Sequence, residues 1–335
     1  MVAGGGNRRH LVSPYIEEAI RPHVGGRFAD MLRAVETHPA MLFYLQQIHS
    51  IGPNSPVGER KGRGLNENLA REMLELHALG VGSGYSQTDV TELAELLTGL
   101  TFTVADGQFY EANRAEPGSE TVLGVTYSAD AHIGVIEQVL EDLAAHPATA
   151  THLARKLARH FVADDPDPAL VAAISAAYAA SDGDLMACYE AMLTHPAAWA
   201  MPAQKVRLPF DFIVGGVRAL GLRHSDLQQM ETDTYRRLLF APLRVMGQTW
   251  QRPSGPDGWP VEAGAWIIPQ TMAGRISWAM NVPPKLLDPL PDPREAVHWA
   301  LGPTPDPEVV FAASSAETPR DGIGVIFASA AFNRR

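Results

Sequence analysis

Asn66-Glu67-Asn68-Leu69-Ala70-Arg71-Glu72-Met73-Leu74-Glu75-Leu76-His77-Ala78-Leu79-Gly80 is the run on which the fold turns. Asparagine is a helix-capping residue and glycine a helix terminator, so Asn66 and Gly80 bracket one predicted helix. At about 100° per residue, Glu67, Asn68, Arg71, Glu72 and Glu75 share one broad face. Leu69, Ala70, Met73 and Leu76 share the opposite one. His77 falls on the apolar side, roughly 140–160° around from Glu72 and Glu75 by the same geometry. Such a helix does not offer His77 and a glutamate to one ion, which excludes a zincin arrangement with ligands about one turn apart. The polar face has two readings. In one it is solvated and carries Glu67–Arg71 and Arg71–Glu75 pairs at one-turn spacing, each worth about 0.2–0.5 kcal/mol. In the other it lines a cleft, where Arg71 holds a carboxylate and Glu72 or Glu75 does acid–base work. His77 reads as a core histidine meeting the negative end of its helix.

Downstream, Ser86 and Asp89 have capping-box spacing, with Asp for the usual Glu, and open a helix through Thr98 that Gly99 stops. Residues 101–104 and 108–111 flank Ala105-Asp106-Gly107 in a hairpin pattern, and 121–123 supply a further short strand. Upstream, amphipathic pieces cover 14–22 and 27–36, a helix runs from Pro39 to about 48, and 50–65 form a loop. Beyond the strands, helices are predicted near 131–145, 147–161, 167–180, 184–194, 205–220, 232–243, 270–280, 293–301, 306–315 and 319–331. Thr37-His38-Pro39-Ala40, Ala145-His146-Pro147-Ala148 and Thr194-His195-Pro196-Ala197 repeat one pattern. Proline at the first helical position loses no intrahelical hydrogen bond, so the pattern reads as helix punctuation with a capping histidine rather than as three metal ligands. The expected fold is therefore mainly α, a multi-helical single domain over 1–335 with a small β-hairpin insertion, and subdivision near 202 or 252 is the alternative.

Composition narrows the function. A formal charge of −11 disfavours nucleic acid as a partner, because phosphate neutralisation needs clustered cations. The one basic run, Arg60-Lys61-Gly62-Arg63, reads as a solvated loop with no P-loop around it. Cys188 is the only cysteine, which leaves no intrachain disulfide or thiolate cluster, and its helical setting suggests a buried thiol. No apolar run reaches the length of a membrane span, and Met1 to Arg9 lack the apolar core of a secretory signal. As written, the chain reads as soluble and cytoplasmic. Asp164, Asp165 and Asp167 resemble an oxygen-rich cation site, but Asp-Pro also fits a helix cap. Gln248 with Trp250, Trp259 and Trp266 lines a saccharide or peptide groove on one reading, and anchors a proline-rich loop on the other. No Gly-x-Ser-x-Gly elbow supports a serine hydrolase.

The run from Asn66 to Gly80, with Tyr85 to Glu92 and Leu97-Thr98-Gly99, resembles the central motif of the bacterial domain of unknown function 1800 family. Further matches follow in order: Thr121-Val122-Leu123-Gly124, His146 to Ala150, Arg155 to Val162, Lys205-Val206-Arg207-Leu208-Pro209, Met246-Gly247-Gln248 and Gly258-Trp259-Pro260. The resemblance covers most of the chain. It implies an envelope setting, since members often carry an export signal, and a partner in a sulfatase-like family whose genes often lie nearby. Members also have a further region before the segment matching Ser13-Pro14-Tyr15, so a truncated start and periplasmic or exported placement are expected alternatives. They often show a His-Asp or His-Glu pair where this chain has Ala115-Glu116.

The resulting expectation is an envelope-associated binding or assembly protein. Its alternative is a hydrolase-type enzyme, with Glu72 and Glu75 as acid–base groups positioned by Arg71 and Asn68. Asn66, Glu67, Gln248 and Trp259 are then the substrate-binding candidates. The sequence assigns no cofactor or metal.

Overall fold

The computed structural model describes residues 10–335 except 63, 104–106, 131 and 201–204. The helices begin where the capping side chains stand. Nδ1 of His38, His146 and His195 accepts the backbone N–H of Ala40, Ala148 and Ala197 at 3.1, 3.1 and 3.2 Å. That engages the ring nitrogen nearest the backbone and bears out helix punctuation for the repeated motif. Asp167, Asp184, Asp292 and Asp306 cap Pro168–Ala180, Leu185–Thr194, Pro293–Leu301 and Pro307–Ser314 in the same way. The result is the expected mainly α fold with small β insertions. No helix among the described residues is long and apolar enough to cross a membrane.

The chain divides into two compact units, Met1–Ala158 with Pro166–Trp199, and Arg159–Asp165 with Ala200–Arg335. In the first, Phe28–Glu36 packs on Ile133–Ala145, Asn68–Glu72 on Gln87–Leu96, and Pro168–Ala180 on Leu185–Thr194. Strands β1 (Leu100–Thr103) and β2 (Gly107–Tyr110) pair antiparallel with Leu100 opposite Tyr110. Each lies one residue earlier than expected; Val104, Ala105 and Asp106 of the predicted hairpin fall outside the described residues. Strands β3 (Thr121–Val122) and β4 (Val125–Thr126) turn through Leu123 (φ 52°) and Gly124 (φ 80°), the two positive angles a tight hairpin turn needs.

Two local expectations change. Residues 50–65 contain the helix Pro56–Lys61, which Ser55 caps by accepting the Gly58 N–H at 3.0 Å. Ser-Pro is itself a helix-start pair, and Gly62 (φ 56°) ends the helix after six residues. The helix from Pro39 stops at Tyr44, because Gln46 takes a left-handed conformation before the short turn Gln47–His49.

In the second unit Pro209–Ala219, Pro269–Asn281, Pro293–Leu301, Pro307–Ser314 and Pro319–Ala328 surround a core containing Phe212, Trp278, Phe327 and Phe332. Phe212 meets Trp278 and Phe332 edge-on at 5.5 and 5.6 Å, a favoured aromatic geometry. The helix predicted from 205 starts only at Pro209, since Val206 bridges to Arg334. Lys205 is buried, paired with Asp164, and donates to the Val261 carbonyl at 2.7 Å.

Candidate functional site

The central helix does not run regularly to Leu79. It is α-helical over Asn68–Glu72 and becomes a π turn over Met73–His77. Ala78 N–H donates to Met73 O at 2.9 Å and Gly80 N–H to Leu74 O at 3.0 Å. The Leu76 carbonyl near its end meets His152 Nε2 at 3.2 Å and accepts from Lys156 Nζ at 3.5 Å. Gly80, at φ 92°, abuts the same histidine: a Cβ there would stand 2.5 Å from His152 Nδ1. Burial lowers the pKa of both His152 and Lys156.

The π turn alters which side chains meet. A five-residue hydrogen-bonded step turns the chain less per residue than an α-helix, and the Glu72 charge acts on the His77 imidazole. The separation of His77 from both glutamates, derived from a regular helix, is thus corrected for Glu72. His77 Nδ1 lies 2.7 Å from Oε1 of Glu36, a carboxylate only 1% exposed; the contact is one of charge without hydrogen-bond geometry, and neither of these atoms nor Glu36 Oε2 has a hydrogen-bond partner among the described residues. Burial alone would lower the His77 pKa, but the charge of Glu36 at close range, with that of Glu72, raises it above the usual value. Burial, with Glu36 nearby, also pushes up the Tyr15 hydroxyl.

The other predicted residues of this helix form a separate polar web. Asn66 Oδ1 accepts the Asn68 N–H at 3.0 Å, while Nδ2 donates to the Leu45 and Gln46 carbonyls. Its side chain thus fixes the helix start and the left-handed turn at Gln46. Asn68 is exposed. Glu67 Oε2 accepts from Arg71 and from Gln87, each at 3.0 Å, and Oε1 accepts from Thr91 at 2.9 Å. These bonds, Thr91's foremost, hold the Glu67 carboxyl below its usual range despite burial. Arg71 also donates to Gln87 Oε1 at 2.9 Å and lies 3.5 Å from Glu75. Burial and the neighbouring Glu75, to which it is hydrogen-bonded, raise the Tyr85 hydroxyl. Arg71 is 40% exposed, so this web is half open to water.

The Ser86–Asp89 capping box forms as predicted, and Asp89 Oδ1 also accepts the Leu123 N–H at 2.7 Å. Glu92 accepts the Thr121 N–H at 2.8 Å, so one helix pins the Thr121–Val122 strand through two carboxylates. Ala115 is buried, and Glu116 holds the Asn54 backbone and side chain.

Gln248 and Trp259 belong to the second unit. Gln248 is buried and its Oε1 accepts the Phe210 N–H at 2.7 Å. Trp259 packs on Trp266 at 6.0 Å, and the buried Trp266 donates to Pro260 O. This matches the loop-anchoring reading for Trp266. Asp164 binds Lys205 and accepts the Ala263 N–H, and Asp167 caps a helix. Among the described residues no three His, Cys, Asp or Glu side chains are grouped to hold a metal ion. Cys188 is buried, which pushes its thiol up to about 11.

Sequence reasoning missed Glu36 and its pairing with His77. A signal was present: Phe28, Leu32 and Glu36 step by four residues along one buried row, so the carboxylate stands on a core stripe.

Fold and site together define a mainly helical two-unit protein with a buried carboxylate–imidazole pair at a π turn. The model of a family described as "protein of unknown function (DUF1800)" matches residues 2–334, and the chain belongs to that family. No curated protein and no solved structure matches it.

Proposed function

We propose that the first unit carries an acid–base site of hydrolase type at His77 and Glu72. The observation that carries this reading is the partly exposed imidazole held 2.7 Å from the buried Glu36. The Glu36 carboxylate against one ring nitrogen favours the charged imidazolium and leaves the other nitrogen for proton transfer. With its pKa raised by Glu36 and Glu72, His77 is more fully protonated near neutrality and suited to donate a proton. Glu72, beside it, is the acceptor carboxylate. Glu36 is a positioning residue. Glu75 and Arg71 act through the adjoining web, and Asn66 and Asn68 set the helix start.

The test is conversion of material from a bacterial envelope fraction, followed by mass spectrometry. The folded wild-type protein forms a product that His77→Asn and Glu72→Gln, both still folded, do not. Product formation undiminished in both variants, or none by the wild type, overturns the assignment.

A second reading, an envelope assembly role with a partner such as a sulfatase-like protein, rests on the Glu67–Arg71–Gln87–Thr91 web. It presents a fixed polar surface with its charges already matched. A stoichiometric partner in a pull-down, retained by His77→Asn and lost by Gln87→Arg, favours this reading.

A further inference from the structure

The second unit contains a cavity of about 440 Å³ lined by two arginines and, among the described residues, by no carboxylate. That is notable in a chain whose formal charge is −11. Arg207 is held in place: Nε donates to the Arg334 carbonyl at 3.1 Å and the guanidinium lies 4.6 Å over the Phe332 ring. Its Nη1 rests on Gly215, where a Cβ would approach within 2.6 Å, so the absence of a side chain there makes room for the cation. Arg218 is exposed and makes no ion pair among the described residues. Trp299 supplies a flat apolar wall. Its Nε1 donates to the Ala219 carbonyl at 2.8 Å, which fixes the indole while leaving it 54% exposed.

Behind Arg207 stands a third guanidinium. Arg275 is fully buried, donates to Arg207 O at 2.8 Å and to Asn333 Oδ1 at 3.0 Å, and lies over Phe212. Among the described residues no carboxylate pairs with it, and burial lowers its pKa only to about 10, so it stays charged at neutrality. Asp211, the acid whose charge reaches Arg207, pairs with Arg335 at 2.8 Å. The wall of the cavity therefore has cationic charge with no carboxylate among its described lining residues, Arg207 half-buried and Arg218 open to water.

We propose that this cavity binds a small organic oxyanion, with Arg207 and Arg218 taking its oxygens and Trp299 packing on a flat apolar portion. Guanidinium forks suit both carboxylate and phosphate, and an indole face suits an aromatic ring.

The test titrates the full chain with phenyl phosphate and with benzoate by calorimetry at low ionic strength. Saturable binding of at least one probe at one site per chain is expected, and the tighter probe tells phosphate from carboxylate recognition. Arg218→Gln, an exposed substitution that leaves the fold alone, weakens that binding at least tenfold. Gly215→Ala weakens it without removing a charge, by displacing the Arg207 guanidinium. Trp299→Leu weakens phenyl phosphate more than inorganic phosphate. The proposal is overturned if the folded wild-type chain binds neither probe, or if Arg218→Gln binds as tightly as the wild type.

Discussion

His77 faces opposing demands: burial disfavours its charge, while the Glu36 and Glu72 carboxylates favour it. For His77 the pairing prevails and the folded pKa lies above the unfolded one. The stabilisation it gives is therefore complete below the unfolded value and is lost as pH rises through the folded one. Denaturant melts should show the wild type losing its advantage over His77→Asn across that rise. Glu120 is a second titrating residue: burial and the nearby acids Glu95, Glu92 and Glu116 lift its carboxyl to about 7. Because the folded form holds its proton longer than the unfolded one, Glu120 weakens the fold as pH climbs from the ordinary carboxylate range through about 7. Glu120→Gln should remove on the order of 3 kcal/mol of that fall, read as a flatter plot of unfolding free energy against pH.

Among the elements, those written in local chemistry were legible and those imposed from elsewhere were not. Ser86 with Asp89, and the three His-Pro starts, depend on bonds between residues two or three apart, so their spacing reveals them. Ser86→Ala should accordingly cost about 1 kcal/mol in a thermal melt. The π turn over Met73–His77 has no such local script. Its end is met by His152 and Lys156, more than seventy residues away in sequence (76 and 80 positions from Leu76), and by the close fit of Gly80 to His152. A regular wheel consequently put Glu67, Arg71 and Glu75 on one face, where they pair, but set His77 apart from Glu72, whose charge reaches it. The polar web was half legible. The Glu67–Arg71 and Arg71–Glu75 pairs follow from one-turn spacing, whereas Gln87 and Thr91 join from the next helix. Gly80→Ala should destabilise the first unit by at least about 1 kcal/mol, because it combines a left-handed backbone with the clash on His152.

At the scale of the whole molecule the two units have separate cores and separate candidate sites. The second unit recruits Arg159–Asp165 from earlier in the chain, and Asp164 supplies the countercharge for the buried Lys205. Lys205 is buried but Asp164 is 36% exposed, so removing the acid strands a buried charge at a cost below the roughly 3–5 kcal/mol of a fully buried pair. Asp164→Asn should therefore unfold the second unit early. Of the six tryptophans, Trp250, Trp259, Trp266, Trp278 and Trp299 lie in that unit, so tryptophan fluorescence follows it selectively. The downward shift of the fluorescence melt should exceed that of Asp165→Asn, whose side chain lacks this pairing.

The most direct test of the acid–base site is a pH titration of the His77 imidazole by NMR, in the wild type and in Glu36→Gln. The wild-type ring should titrate above the ordinary histidine value and fall markedly in the variant, where burial acts with only Glu72 to oppose it. A wild-type ring that titrates at or below the ordinary value, or one that Glu36→Gln leaves unmoved, contradicts the dyad and the chemistry built on it.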